Sequence, residues 1–181
     1  KVLEDVSNPF LQGFYDDRPG SAFQTELYFL LTRFKQQKEL RQHTLFDKLV
    51  IADYTFQKNN IFAYLNLSED ELMLFGKVYN ALEPEVPKPD LCIYLTADVE
   101  TCMRRIKKRA RPFEKNMADE YLTDLIDAYN HFFHYYRESP LLVVDTRHLN
   151  IPGRPEDFEE LVHQLQRPIK GTQYWVPMGA K

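Results

Sequence analysis

Two carboxylates in this sequence directly follow short apolar runs. Glu4 follows Lys1-Val2-Leu3, and Asp53 follows Leu49-Val50-Ile51-Ala52. If the runs are parallel strands, both side chains leave the same edge of the sheet. One could then take a proton from a hydroxyl, and the other could hold Mg²⁺ or its water. The same residues would also serve as caps of following helices. A second set is basic: Arg104, Arg105, Lys107, Lys108, Arg109 and Arg111 are six cations within eight positions. Arg105 and Arg109 stand four apart and share a helix face. Arg111 lies just before Pro112, which disfavours further helix. Clustered guanidiniums suit a polyphosphate whose transferring group must be neutralised. A solvated basic face or a nucleic-acid patch is the plain alternative. The third set is Tyr15 within Phe14-Tyr15-Asp16-Asp17, then Gln24 after Phe23, then Arg33. A glutamine amide both donates and accepts, so it can pair with the edge of a base on which nearby aromatics stack. An exposed glutamine with no such role has the same spacing.

These residues need elements to hold them. Residues 22–43 read as a long helix, with Phe23, Leu27, Leu30, Leu31 and Phe34 near helical spacing. Ser68 with Glu71 forms a capping box, opening a helix that carries Leu72, Leu74, Phe75, Val78 and Leu82. Asp98 is the expected N-cap of a helix through about Arg109. Further helices are expected over 118–137 and 156–166. Continuous apolar runs at 1–3, 49–52, 91–95 and 141–144 read as buried parallel strands. The tail through Tyr174-Trp175-Val176 reads as irregular. Strands alternating with helices imply an α/β fold, a doubly wound parallel sheet with flanking helices. Ligands gather beyond the C-terminal strand ends of such sheets. That directs attention to Glu4, Asp53, Thr96 and Asp145.

Composition narrows the function. At 181 residues, 44% hydrophobic and 14% aromatic, the chain can build one sizeable core, and global disorder is excluded. The net charge of −4 argues against a general nucleic-acid or membrane-surface binder. No apolar run approaches the ~18 residues of a bilayer span. Cys92 and Cys102 are too few for a disulfide scaffold and lack metal-site spacing, so a reducing, cytoplasmic setting is expected. No G-x-x-x-x-G-K-[ST] phosphate loop occurs; Gly76-Lys77 is followed by Val78.

In order, LEDVSNPFLQGFYDD, AFQTELYFLLTRFKQQ, VIADYTFQKNNIFA, PKPDLCIYLTADVETCMRRIKKRARPFEKN and the helix ending YNHFFHYY run through nearly the whole chain. Together they resemble the deoxynucleoside kinase family, in its bacterial deoxyadenosine/deoxyguanosine kinase branch. The resemblance implies a P-loop kinase-like fold over 1–168 with a tail at 169–181. It also implies ATP-dependent 5′-phosphorylation of a deoxyribonucleoside, with a purine preferred. Glu4 then matches the general base on the 5′-hydroxyl. Tyr15 matches the tyrosine at the sugar 3′-hydroxyl, joined there by Glu114. Gln24 matches the glutamine that pairs with the base, and Arg33 and Phe62 are weaker base-pocket candidates. Arg105, Arg109 and Arg111 match the arginines of the lid over the ATP phosphates, with Arg105 also at the reaction centre. Asp53 matches an acidic residue near Mg²⁺; many members follow it with Arg, whereas Tyr54 follows here. A cytoplasmic homodimer acting in nucleotide salvage is implied, with deoxynucleoside and ATP as its partners.

The resemblance starts partway into the family pattern, after its first strand, phosphate loop and helix. A front segment preceding Lys1 is therefore expected. Two other functions fit parts of the same pattern. A nucleoside monophosphate kinase of the thymidylate kinase kind shares the fold but needs no base at Glu4. A noncatalytic module would have lost the phosphate loop outright.

Overall fold

The computed structural model describes residues 1–3, 7–16, 18–43, 49–111, 114 and 117–177, with backbone alone at 41–43. The elements follow in the order α1 (Leu11–Tyr15), α2 (Ser21–His43), α3 (Lys58–Asn66), α4 (Glu69–Leu82), β1 (Cys92–Thr96), α5 (Val99–Arg109), α6 (Asp119–Tyr135), β2 (Leu141–Asp145), α7 (Pro155–Leu165) and β3 (Thr172–Trp175). A 3₁₀ turn at Glu83–Glu85 follows α4. The chain divides into two units. One comprises Lys1–Pro87 with Arg111–Tyr129; the other comprises Lys88–Ala110 with Asn130–Lys181.

The first unit is helical. Its core is Leu30, Phe56, Ala63, Phe75 and Tyr79, with Phe23, Leu27 and Phe34 packed around them. The Phe56 and Tyr79 rings stack 5.1 Å apart. The expected capping box opens α4: the Ser68 amide donates to the Glu71 carboxylate at 3.0 Å, satisfying an amide that the helix leaves unpaired. The runs at 1–3 and 49–52, expected to be strands, pair at a single parallel bridge, Val2 with Ala52. Leu31, one of the apolar residues at helical spacing, is exposed.

The second unit carries a parallel sheet in the order β1-β2-β3. Cys92 to Thr96 pair with Leu141 to Asp145, and Leu141 to Val144 pair with Thr172 to Trp175. The crossover-linked parallel arrangement is the one the alternating pattern implies. Central β2 buries Leu141, Leu142 and Val144, as a strand covered on both faces must. β1 departs from that expectation, because Ile93 and Leu95 are exposed. The tail read as irregular contains β3, seeded where the Leu141 amide donates to the Gly171 carbonyl at 2.8 Å. Its Trp175 packs against the core of Leu142, Val144 and Leu149. Asp98 caps α5, with Oδ1 accepting from the Thr101 amide at 2.8 Å. The helix ends on Ala110 in the left-handed conformation at φ 54°. Both cysteines are free, and burial pushes the Cys92 thiol up to about 11.

Candidate functional site

The buried stripe of α2 is mainly polar. Glu26, Leu30, Arg33 and Gln37 recur at helical spacing, and all four are buried. A buried cation needs compensation from hydrogen bonds or charge. The Arg33 guanidinium donates to Asn59 Oδ1 at 2.5 Å and lies 4.8 Å from the Phe29 ring centre and 5.7 Å from that of Tyr54. Asn59, fully buried in α3, also donates to the Phe56 carbonyl at 2.7 Å. The Tyr54 hydroxyl donates to Gln36 Oε1 at 2.5 Å, and Gln36 donates to the Leu3 carbonyl at 3.3 Å. α2 is thus tied to both segments of the Val2–Ala52 bridge.

That bridge aligns the segment before Glu4 with the segment before Asp53. The Val2 amide donates to the Ile51 carbonyl at 2.8 Å, and the Asp53 amide donates back to the Val2 carbonyl at 3.1 Å. Asp53 is exposed at its end. Glu4 lies outside the described residues, as do Asp17, Pro112, Phe113 and Lys115. Among the described residues no three His, Cys, Asp or Glu side chains gather as a metal site. One carboxylate such as Asp53 matches a Mg²⁺ ion that takes its remaining ligands from water and phosphate.

Tyr15 ends α1, half-buried, and its ring meets that of Phe14 edge-on at 5.4 Å. Gln24 lies exposed in the first turns of α2. Phe62 on α3 is half-buried, edge-on to Tyr129 at 6.1 Å, with Lys58 Nζ 5.4 Å from its ring centre. Glu114 is buried and pairs with Arg111 at 3.6 Å. Glu26 accepts from Asn66 at 2.8 Å, and Asn66 accepts from the Tyr121 hydroxyl at 3.3 Å, joining α2, α3 and α6.

Arg105 and Arg109 belong to the second unit. Arg109 is exposed as the last residue of α5. Arg105 grips the turn after β2: it donates to Thr146 Oγ1 at 2.8 Å, to the Thr146 carbonyl at 2.6 Å and to the Leu149 carbonyl at 3.4 Å. Thr146 Oγ1 in turn donates to the Thr96 carbonyl at 2.8 Å. The ends of β1 and β2 are thereby pinned to the helix that carries the arginines. At the same strand end, the Arg147 guanidinium donates to Oδ1 and Oδ2 of Asp145 and holds that carboxyl below its usual range. Sequence reasoning missed Asn8, Asn59 and Thr146; the Asn8-Pro9 dipeptide was a readable turn signal.

A parallel sheet with crossover helices, matched to solved nucleotide-site enzymes, places the protein in the phosphate-loop kinase-like class of α/β folds. Residues 2–170 match the family profile described as deoxynucleoside kinase, and the chain belongs to that family. It is 39% identical over 160 residues to a deoxyguanosine kinase of Bacillus subtilis (strain 168), covering 87% of this chain and 74% of that one. It is 27% identical over 182 residues to a deoxyadenosine/deoxycytidine kinase of the same organism, covering 94% and 82%. A solved deoxyadenosine kinase from M. mycoides, with the products dCMP and a flexible dCDP bound, superposes with a TM-score of 0.76 at 25% identity, covering 91% of this chain and 85% of that one. The chain is accordingly a kinase.

Proposed function

We propose that the protein transfers the γ-phosphoryl group of ATP to the 5′-hydroxyl of a deoxyribonucleoside, with a purine deoxyribonucleoside as acceptor. The observation that carries this reading is the joining of α1 and α2 in one unit. It brings the helix bearing Tyr15 against the helix bearing Gln24, whose own buried stripe includes Arg33. Gln24 would pair with the base, and Phe62 would offer a ring beside it. Tyr15 and Glu114 would hold the sugar 3′-hydroxyl. Glu4, next in the chain after Leu3, would take the 5′-hydroxyl proton as the oxygen attacks in line. Arg105, Arg109 and Arg111 would neutralise the phosphate oxygens. Mg²⁺ held at Asp53, directly or through water, would supply further charge neutralisation there. The name of the deoxyguanosine kinase relative supports the purine preference, and the deoxycytidine compounds named for the other two make deoxycytidine the competitor to test.

The reading includes a cytoplasmic homodimer acting in nucleotide salvage. Exposed Leu31 on α2 and Met73 and Leu74 on α4 supply apolar surface of the kind a second copy covers. No helix among the described residues is long and apolar enough to cross a membrane.

The test is turnover of deoxyguanosine, deoxyadenosine and deoxycytidine with ATP and Mg²⁺ by the purified protein. Turnover of a purine substrate with the smallest KM is expected; absence of turnover with all three would overturn the reading. Glu4→Gln should abolish nucleoside phosphorylation. Retained turnover in that variant would remove Glu4 from the role of base.

A further inference from the structure

α1 has five residues and none of them is buried. An isolated helix needs about 12–15 residues to persist in water, so α1 cannot hold its own place. One fixed point lies just before it. Asn8 is buried at 7% exposure, and its side chain is used at both ends. Oδ1 accepts from the Phe10 amide at 2.9 Å, forming the turn that starts α1. Nδ2 donates to the Thr25 carbonyl at 3.0 Å, in the body of α2. The Asn8 carbonyl also accepts from the Leu11 amide at 3.2 Å. Phe10 adds an edge-on contact with Tyr28 of α2, centroids 6.2 Å apart. Tyr15 stands at the far end of α1, and Gln24 precedes Thr25 directly.

From this geometry we infer that Asn8 is a positioning residue for the sugar site: its amide sets where α1, and with it Tyr15, lies against α2. The inference rests on the reading of Tyr15 as the contact of the sugar 3′-hydroxyl. Asparagine suits the task because one side chain offers both an acceptor and a donor. Aspartate keeps the acceptor for the Phe10 amide but places a second oxygen against the Thr25 carbonyl. Serine keeps a capping oxygen and lacks the donor's reach.

The experiment compares a deoxyribonucleoside with its 2′,3′-dideoxy analogue, using the wild-type protein, Tyr15→Phe, Asn8→Asp, Asn8→Ser and the Asn8→Asp/Tyr15→Phe pair. Asn8→Asp should raise the nucleoside KM about tenfold, as the loss of one or two hydrogen-bond contacts would, with the KM for ATP unchanged. It should also shrink the preference for the 3′-hydroxyl substrate. In the Tyr15→Phe background it should shrink that preference no further. Asn8→Ser should act in the same direction, and it carries the test if Asn8→Asp does not fold. A purely structural Asn8 would lower Tm and the active fraction while leaving the 3′-hydroxyl preference intact; that result overturns the inference. Tyr15→Phe leaving the preference unchanged would instead overturn the reading of Tyr15.

Discussion

Gln24 is exposed while the next two residues of α2, Thr25 and Glu26, are buried. Gln24→Ala should therefore leave stability within about 0.5 kcal/mol, as surface changes do. If the amide pairs with a base, it should raise the nucleoside KM about tenfold or more, because each lost hydrogen bond is worth roughly 1 kcal/mol. Steady-state kinetics beside a thermal melt separates the two effects. Thr25 makes the converse case. Its Oγ1 is buried and, among the described residues, has no hydrogen-bond partner. An unsatisfied buried hydroxyl costs about 1–3 kcal/mol, and valine is a β-branched side chain of nearly the same shape. Thr25→Val should raise Tm by about 2–4 °C, the shift that roughly 1 kcal/mol gives in a chain of this size. A fall in Tm would show that the hydroxyl has a partner. Residue types and spacing brought out Tyr15, Gln24 and the arginines because their chemistry is local. They could not show that Arg33 is buried, because its partner Asn59 lies 26 positions further along the chain. Nor could they show what Arg105 grips, since Thr146 is 41 positions away.

At the scale of elements, the signals that worked were complete within a few residues. Ser68 with Glu71, and Asp98 with Thr101, each close a helix end by bonds spanning three positions. β1 and β2 read as strands because continuous apolar runs suit burial on both faces. α1 and α3 escaped notice, since five and nine residues hold too little of a 3.6-residue period to stand out. β3 escaped because its burial alternates over only four residues, close to Pro168, Gly171 and Pro177. One boundary carries strain. Ala110 ends α5 with φ 54°, where a Cβ crowds the following carbonyl at a cost of roughly 1 kcal/mol. Ala110→Gly should recover up to about 1 kcal/mol of stability, less what glycine's freer unfolded chain takes back. A lower Tm for Ala110→Gly would mean that the alanine methyl makes a contact worth more than the strain.

At the scale of the whole molecule, three carboxylates make the second unit sensitive to acid. Asp98 is held below its ordinary value of 3.8 by the Thr101 amide it caps, and Asp157 likewise by the Asn150 amide and Arg154. Asp145 is held down by Arg147. A carboxyl with a lowered folded pKa stabilises the fold fully above its unfolded value and loses that contribution as pH falls through the folded one. The second unit should therefore weaken as pH drops below 3.8, and not between 5 and 8. The chain's single tryptophan, Trp175, packs half-buried against that unit's core, so its emission reports the event. A red shift beginning below pH 4 is expected. A shift already complete at pH 5 would exclude these carboxylates as the cause.

The division of the chain has a practical consequence for anyone who would take it apart. Neither unit is a continuous stretch, because the backbone passes from one to the other after Pro87, after Ala110 and after Tyr129. A gene fragment ending at Pro87 would lack Tyr121, whose hydroxyl bonds to Asn66. It would also lack Tyr129, which covers Phe62. No single break in the polypeptide frees either half intact. Recombination with relatives that keeps the first unit's described residues together has to exchange residues 1–87 with 111–129.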